Sequence, residues 1–246
     1  MRLLKVFVMT VVLLALVLAM ENYTDWDVAV QNKLYFSDTG SWLITPEMHR
    51  QWDFVFYNGM KHFVAFWGTV SVLVMVAGFR IKSLRPKFAA ALTVLLCTII
   101  IPASVNSLKK KTNVYCPGQL EIYNGAYPYV RVFEAYPETF VPEHRGRCFP
   151  AGHVTGLFSL MALGYYFQNK KKRYAVIVAA FVLAWVGGAY QMMRGEHFLS
   201  HTLTTMVAVP LFIMLIHRAV LWGERVIGRL RVHGCLLYTS PSPRDS

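Results

Sequence analysis

Apolar residues are concentrated in six stretches of the 246-residue chain, and polar segments separate them. The stretches cover about residues 3–20, 55–79, 88–107, 151–167, 174–191 and 198–222. A helix needs about 20 predominantly apolar residues to cross a bilayer, and the third, fifth and sixth stretches have that length. We therefore predict an all-α membrane protein, a bundle of six transmembrane helices that forms one domain over residues 1–234.

The two ends of the chain are interpreted separately. The first stretch is short and follows Arg2 and Lys5, a pattern that a cleaved signal peptide shares. No convincing small-residue cleavage site precedes Glu21, so a retained helix is the prediction. Residues 235–246 read CLLYTSPSPRDS, which resembles a translated sequencing adapter, and we predict that this tail is not native.

Basic residues lie between the apolar stretches. The net charge is +12 although only 15% of the residues are charged. Six crossings place four basic clusters on one side, at residues 2–5, 80–87, 170–173 and 225–231. Lys and Arg favour the cytoplasmic side, so both termini are predicted there, in a multi-pass protein of the bacterial inner membrane. No basic patch is interleaved with stacking aromatic residues, so no nucleic-acid partner is predicted.

Two polar segments, residues 21–54 and 108–150, are then predicted to lie outside. Three tryptophans of the first segment are expected to anchor it at the membrane interface: Trp26, Trp42 and Trp52. The second segment is rich in proline, which predicts loops and short turns. It also contains Cys116 and Cys148, for which we predict a disulfide in an oxidising compartment, with two free thiols as the alternative.

Three polar clusters lie at the outside ends of predicted helices. The first is Lys109, Lys110 and Lys111, which contradict the usual positive-inside bias. An ammonium group suits a phosphate, so an anion site is predicted, with a loop of snorkelling lysines as the alternative. The second cluster is the turn that ends in Gly152 and His153, where free backbone N–H groups at a helix start favour an anion. His153 can exchange a proton near neutral pH, although a structural histidine is the other interpretation.

The third cluster runs from Arg194 to His201. His197 and His201 are four residues apart and therefore share one helix face. Arg194 can bind a phosphate through two parallel hydrogen bonds from its planar guanidinium group. With His153 the two histidines also make a candidate set of zinc ligands. In a bundle the three clusters can converge, and this combination suggests phosphoryl transfer without a metal or another cofactor.

The order and spacing of these residues, and their common position on the predicted outside face, resemble the motifs of the type 2 phosphatidic acid phosphatase (PAP2) superfamily. The resemblance covers about residues 88–215. Its pattern has a Lys, six residues and Arg-Pro, then Pro-Ser-Gly-His, then Ser-Arg, five residues, His, three residues and Asp. Three parts of this chain align with it: Lys109 before Cys116-Pro117, Pro150-Ala151-Gly152-His153, and Gly195, His197, Phe198 and Ser200. Departures from it include Cys116 and Gln191 for Arg, Ala151 for Ser, and His201 for Asp.

The resemblance implies a membrane lipid phosphate or pyrophosphate phosphatase with a periplasmic active site. By resemblance, His197 attacks phosphorus to form a phosphohistidine, and His153 protonates the leaving oxygen and then activates water. His201 would orient His197. The phosphate-binding groups would be Lys109, Arg194, Gly152, Lys110 and Lys111. No metal, cofactor or obligate protein partner is implied; the expected partners are the lipid substrate and the bilayer.

The departures keep two other functions open. Ala151 and Cys116 remove a hydroxyl and a cation from the expected phosphate site, and His201 replaces a carboxylate. Losing one preorganised donor lowers catalytic rates by ~10²–10³. The alternatives are a catalytically silent lipid-phosphate binder or transporter, and a zinc hydrolase that uses His153, His197 and His201.

Overall fold

The computed structural model describes residues 2–142 and 144–238, and it describes side chains as far as residue 227. Its helices are α1 (Arg2–Tyr23), α2 (Trp26–Asn32), α3 (Pro46–Asp53), α4 (Gly59–Arg80), α5 (Phe88–Thr112), α6 (Thr155–Ser159), α7 (Lys170–Met193) and α8 (Leu199–Tyr238). A π-helical turn, Phe54–Asn58, joins α3 to α4, and 3₁₀ turns cover Lys82–Lys87, Pro117–Gln119, Glu121–Tyr123 and Leu160–Tyr166. Strands β1 (Tyr35–Phe36) and β2 (Ser41–Trp42) form an antiparallel hairpin. Residues 239–246 lie outside the described residues, so the prediction for the tail stays a prediction.

Five helical segments in the described part of the chain are long and apolar enough to cross a membrane. They are Leu3–Tyr23, Pro46–Arg80, Lys82–Gln119, Lys170–Met193 and Leu199–Ile227. The predicted all-α class is therefore confirmed, and these candidate membrane-spanning segments include five of the six predicted stretches. The fourth predicted stretch, 151–167, forms α6 and the 3₁₀ turn that follows it, and both are shorter than a membrane-spanning helix.

The fourth stretch is surrounded by protein. It packs against α4, α5, α7 and α8, and Phe158 and Leu160 are fully buried. Its beginning lies beside the end of α5, whereas Tyr165 stacks on His217 far along α8, with ring centroids 3.6 Å apart. The segment therefore runs between opposite ends of the bundle. Its 3₁₀ portion rises about 2.0 Å per residue instead of 1.5 Å, so few residues cover that distance.

Most of the two predicted outside segments forms a cap over one end of the bundle, and the cap is defined here as residues 24–45, 113–142 and 144–150. Aromatic side chains fill its interior: Tyr35, Trp42, Tyr115, Tyr123, Tyr127, Tyr136 and Phe140. Trp42 lies 4.9 Å from Tyr35 and 5.1 Å from Tyr123 between ring centroids, so the expected interfacial anchor is instead part of the cap's core. Trp26 and Trp52 are exposed.

Arg131 attaches the cap to the end of α1. Its guanidinium donates to the carbonyl oxygens of Glu21 and Thr24, both at 3.1 Å, and to Asp25 Oδ1 at 2.8 Å. A cation is favourable here because the last carbonyls of a helix carry partial negative charge. We call the end of the bundle that the cap covers the site end.

Candidate active site

The three polar clusters meet at the site end of the bundle. Lys109 lies in the last turn of α5, His153 lies in the turn before α6, and His197 lies in the loop between α7 and α8. His153 Nδ1 is 3.0 Å from His197 Nε2, so the two rings share a hydrogen bond. A Cβ atom at Gly152 would lie 3.2 Å from Lys109 Nζ, and the glycine therefore lets the lysine reach across the turn.

The turn that contains Gly152 and His153 is held from both sides. Thr112, at the end of α5, donates its hydroxyl to the carbonyl of Phe149 at 2.7 Å. On the other side, the N–H of Ala151 donates to the carbonyl of His201 at 3.1 Å, and the Thr205 hydroxyl donates to the carbonyl of Ala151 at 2.8 Å. The position of His153 is thereby fixed relative to α5 and to the first turns of α8.

The loop that contains His197 is shaped by contacts with the cap. Gly195 has φ +74°, and a Cβ atom there would lie 2.3 Å from Trp42 Cε2, so only glycine fits. The carbonyl of Gly195 accepts from the N–H of Gly118 at 2.7 Å, and the carbonyl of Met193 accepts from the N–H of Ile44 at 3.1 Å. Both halves of the cap therefore hold this loop.

Helix α2 holds the same loop through two buried polar side chains. Asp27 accepts hydrogen bonds from the N–H of Ser200, at 2.8 Å, and from its hydroxyl, at the N-terminus of α8. Gln31 donates to the carbonyl of Met192 at 2.8 Å, at the end of α7. Burial raises the pKa of Asp27 above its ordinary value, although the two bonds from Ser200 act in the opposite direction. Sequence reasoning did not find Asp27 because its partner is 173 residues away.

The other ring nitrogen of His197 faces a disulfide instead of His201. Cys116 and Cys148 are bonded, and Cys148 Sγ lies 3.3 Å from His197 Nδ1. His201 is buried with its ring centroid 5.8 Å from that of His197, and its Nδ1 has no hydrogen-bond partner among the described residues. The atom within hydrogen-bond distance of His197 Nδ1 is therefore Cys148 Sγ, whereas the His201 ring packs edge-on against the His197 ring.

Arg194 lies beside the position where the family pattern has an arginine. Its guanidinium donates to Gln191 Oε1 at 3.2 Å and to Glu196 Oε1 at 3.4 Å. Gln191 lines a cavity of about 840 Å³ that opens beside His153, so the Arg194 charge is brought to the edge of that cavity. Lys110 and Lys111, in contrast, are exposed and do not line it, and the structure does not bring them together with the histidines.

Two residues of the site were not predicted from the sequence. Tyr57 lies 5.5 Å from His153 between ring centroids, and Lys61 Nζ lies 3.5 Å from the centre of the Tyr57 ring. Lys61 also lines the cavity next to Lys109. The signal that could have revealed it is a lysine within an apolar stretch, because charged residues at membrane depth are costly and usually functional.

The surroundings favour neutral forms of both proposed catalytic histidines. Burial lowers the pKa of His153 to about 4. Three nearby cations act in the same direction: Lys109, Lys61 and Arg194. Burial, reinforced by the neighbouring histidines, also lowers the pKa of His197 well below its ordinary value. At neutral pH both rings are therefore uncharged, which leaves a nitrogen lone pair available.

A cavity of about 840 Å³ extends from this site into the bundle between α4 and α5. Its polar end is formed by Tyr57, Lys61, Lys109, Gly152, His153 and Gln191, and its remainder is mostly apolar, with Val64, Val72, Leu95, Ile99, Pro102 and Leu157. The distance along α4 from Lys61 to Val72 is roughly 16 Å at 1.5 Å per residue. That length is about half of the ~30 Å hydrocarbon core of a bilayer.

The described residues offer one cluster of metal-ligand atoms that lie within 4.8 Å of one another. It consists of Cys116, Cys148 and His197, and both sulfurs are already joined in the disulfide. His153 and His201 do not belong to this cluster. The zinc set considered from the sequence is therefore not assembled in the described part of the chain.

These features define a helical membrane protein with a basic, histidine-containing cavity at one end of its bundle. The family model of the PAP2 superfamily matches residues 87–225, which is more than half of the chain, and the protein belongs to that superfamily. Members of the superfamily are phosphatases. Comparison with curated proteins and with solved structures gave no match.

Proposed function

We propose that the protein removes phosphate from a membrane lipid phosphate or pyrophosphate through a phosphohistidine intermediate. The observation that carries this proposal is the cavity that joins Lys109 and His153 to an apolar groove between α4 and α5. Such a cavity suits a substrate with an anionic headgroup and a long apolar chain. The basic segments at the opposite end of the bundle support a periplasmic site in a bacterial inner membrane, with both termini cytoplasmic.

The first chemical step is attack by Nε2 of His197 on phosphorus. A bond forms between this nitrogen and phosphorus as the bond from phosphorus to the lipid oxygen breaks, and His153 donates a proton to that oxygen. Because Nε2 is hydrogen-bonded to His153 at 3.0 Å, the phosphoryl group must first separate the two rings. In the second step His153 takes a proton from water, which attacks phosphorus and frees His197.

The substrate itself supplies the charge that makes His153 an acid. Burial and three nearby cations keep the pKa of His153 at about 4 in the structure. A phosphate dianion between the rings offsets those cations and favours the protonated imidazole, because an opposite charge nearby raises the pKa of a histidine. His153 is therefore expected to become protonated only when phosphate is bound.

Four groups bind the phosphate oxygens in this proposal. Lys109 and the N–H groups of Gly152 and His153 lie at the polar end of the cavity, and Arg194 reaches its edge beside Gln191. Lys61 adds a cation that offsets the arginine missing at Cys116. Lys110 and Lys111 are exposed outside the cavity, so their contribution is limited to the potential around its mouth.

The test is phosphate release by purified protein in detergent, with a chelator and without added metal. We expect release from phosphatidic acid, phosphatidylglycerol phosphate, undecaprenyl pyrophosphate or lipid A phosphates, and little from glycerol 3-phosphate, which lacks the apolar chain. His197→Ala should lower the rate at least ~10²-fold. The matched control is His62→Ala, because His62 is exposed on α4. Equal rates for His197→Ala and the control would refute the assignment of the nucleophile.

The occlusion of His197 also supports a second candidate, a lipid-phosphate binder without turnover. His197 is only 1% exposed, and the hydrogen bond from His153 occupies its Nε2 atom. If the rings do not separate, phosphate binds at Lys109 and no phosphohistidine forms. Saturable binding of a lipid phosphate with no release of phosphate, in protein that elutes as a single species, would favour this function.

A further inference from the structure

The disulfide and the proposed nucleophile together contain the atoms of a thiophilic metal site. The sulfurs of Cys116 and Cys148 and a ring nitrogen of His197 all lie within 4.8 Å of one another. Cys148 and His197 are buried, and Cys148 Sγ lies 3.3 Å from His197 Nδ1. The sulfurs are bonded to each other in the structure, and only a thiolate binds metals strongly. The disulfide therefore masks a complete set of three ligands.

We propose that reduction of the Cys116–Cys148 disulfide creates a Zn²⁺ site on these three residues, and that the bound metal switches His197 off. Zn²⁺ prefers sulfur and imidazole ligands, at about 2.3 Å and 2.0–2.1 Å, in a tetrahedral arrangement. These lengths put neighbouring ligand atoms roughly 3.5–3.8 Å apart, a spacing that the cluster reaches when the two sulfurs are no longer bonded. The inhibitory part of this inference rests on the proposed function, whereas the binding part does not.

The reaction that creates the site is thiol–disulfide exchange with an external dithiol. The dithiol gives two electrons and two protons to the disulfide, so that two cysteine thiols and one oxidised dithiol result. Zn²⁺ then displaces both thiol protons, and two thiolates and His197 Nδ1 hold the ion. A water molecule takes the fourth position, since three protein ligands are present.

The metal inactivates His197 although it binds the nitrogen that does not attack phosphorus. A neutral imidazole carries one proton, and only its other nitrogen has a free lone pair. When the metal occupies Nδ1, the proton must lie on Nε2, which then cannot attack phosphorus. In the oxidised protein Nδ1 keeps its proton against the Cys148 sulfur, and Nε2 stays nucleophilic. The oxidation state of one disulfide thus sets the tautomer of the nucleophile.

Cobalt spectroscopy tests the site without any need for turnover. We expect one equivalent of Co²⁺ to give a thiolate-to-cobalt charge-transfer band with dithiol-reduced, full-length protein in detergent, and no band with oxidised protein. Cys116→Ser should abolish the band. The matched control, Cys97→Ser/Cys235→Ser, should keep it, because it removes the other two cysteines of the chain. A band that persists in Cys116→Ser would overturn the proposal. The absence of a band from the reduced protein would also overturn it, whether or not the reduced protein stays folded.

Phosphate release tests the inhibitory part. Reduced protein with one equivalent of Zn²⁺ should lose at least ~10-fold in rate, because the attacking lone pair is removed. A chelator should restore the rate, and the same Zn²⁺ should leave oxidised protein unchanged. A cobalt band with Zn²⁺-insensitive turnover would refute the inhibition and leave the proposed function standing. A cobalt band in a protein that never releases phosphate would instead count against the proposed function alone.

Discussion

Acidic pH should destabilise the protein through His153, because its surroundings keep the imidazole neutral. The pKa of His153 is about 4, against an ordinary value of 6.5. Each tenfold change in proton affinity corresponds to about 1.4 kcal/mol, so folding favours the neutral ring by about 3 kcal/mol. His153 is largely enclosed, so little of this energy is screened by solvent.

The pH range of the effect follows from the two pKa values of His153. Above about pH 6.5 neither the folded nor the unfolded chain binds a proton at this position. Between pH 6.5 and about pH 4 the unfolded chain binds the proton and the folded protein does not, so the free energy of unfolding falls as the pH falls. Below about pH 4 both states are protonated and the loss is complete.

Thermal unfolding followed by tryptophan fluorescence, from pH 8 to pH 4 in one detergent, measures this loss. His153→Gln cannot take up the proton, so it should lose about 3 kcal/mol less than the wild type across that range. The pKa of His197 is lowered in the same direction, so some pH dependence remains in the variant. His62→Gln, an exposed control, should follow the wild type. Identical pH profiles for His153→Gln and the wild type would refute the assigned environment of His153.

Three further expectations follow from the site. Gly195→Ala should lower phosphate release at least ~10-fold, because residue 195 has a left-handed backbone and the new Cβ atom would clash with Trp42. Adding Trp42→Ala should restore part of the rate. An unchanged rate in the single variant would contradict the role of Gly195 in shaping the His197 loop. Asp27→Ala should lower the free energy of unfolding by ~1–3 kcal/mol. Asp27→Asn should lower it by less, since the asparagine oxygen still accepts the hydrogen bond from the N–H of Ser200. Equal losses in the two variants, measured by thermal unfolding, would show that this hydrogen bond does not cause the stabilisation. In intact cells an impermeant thiol reagent should label Lys110→Cys but not Lys170→Cys, two exposed positions at opposite ends of the bundle; the reverse pattern would invert the proposed topology.

Long apolar stretches predicted the helices well because lipid-facing segments must be apolar along their whole length. The stretch 151–167 was predicted as the fourth of six transmembrane helices, although it is shorter than about 20 residues, and it forms the short α6 and a 3₁₀ turn. Protein, not lipid, surrounds it, so its length is set by its neighbours. Hydrophobicity alone does not distinguish a segment buried in protein from one exposed to lipid.

The convergence of His153, His197 and Lys109 could be predicted because each lies in a local motif at one end of a predicted helix, whereas the residues that hold their loops in place could not. Asp27 and Trp42 reach the loop of His197 from the other end of the chain, and no sequence period signals such contacts. Lys109 was predicted together with Lys110 and Lys111, but of the three only Lys109 lines the cavity. Successive helical residues differ by about 100° around the axis, so three adjacent lysines cannot all face one cavity.

The attachment of the His197 loop to α2 and to the β1–β2 hairpin has a consequence for biosynthesis. Asp27, Gln31 and Trp42 leave the ribosome well before the loop between α7 and α8 is made. The first half of the cap can therefore be in place before the last two helices are made, and the His197 loop reaches its final position only when α7 and α8 pack against it. A chain interrupted before residue 197 contains Lys109 and His153 but not the proposed nucleophile, so under the proposed function incomplete chains would not hydrolyse membrane lipids.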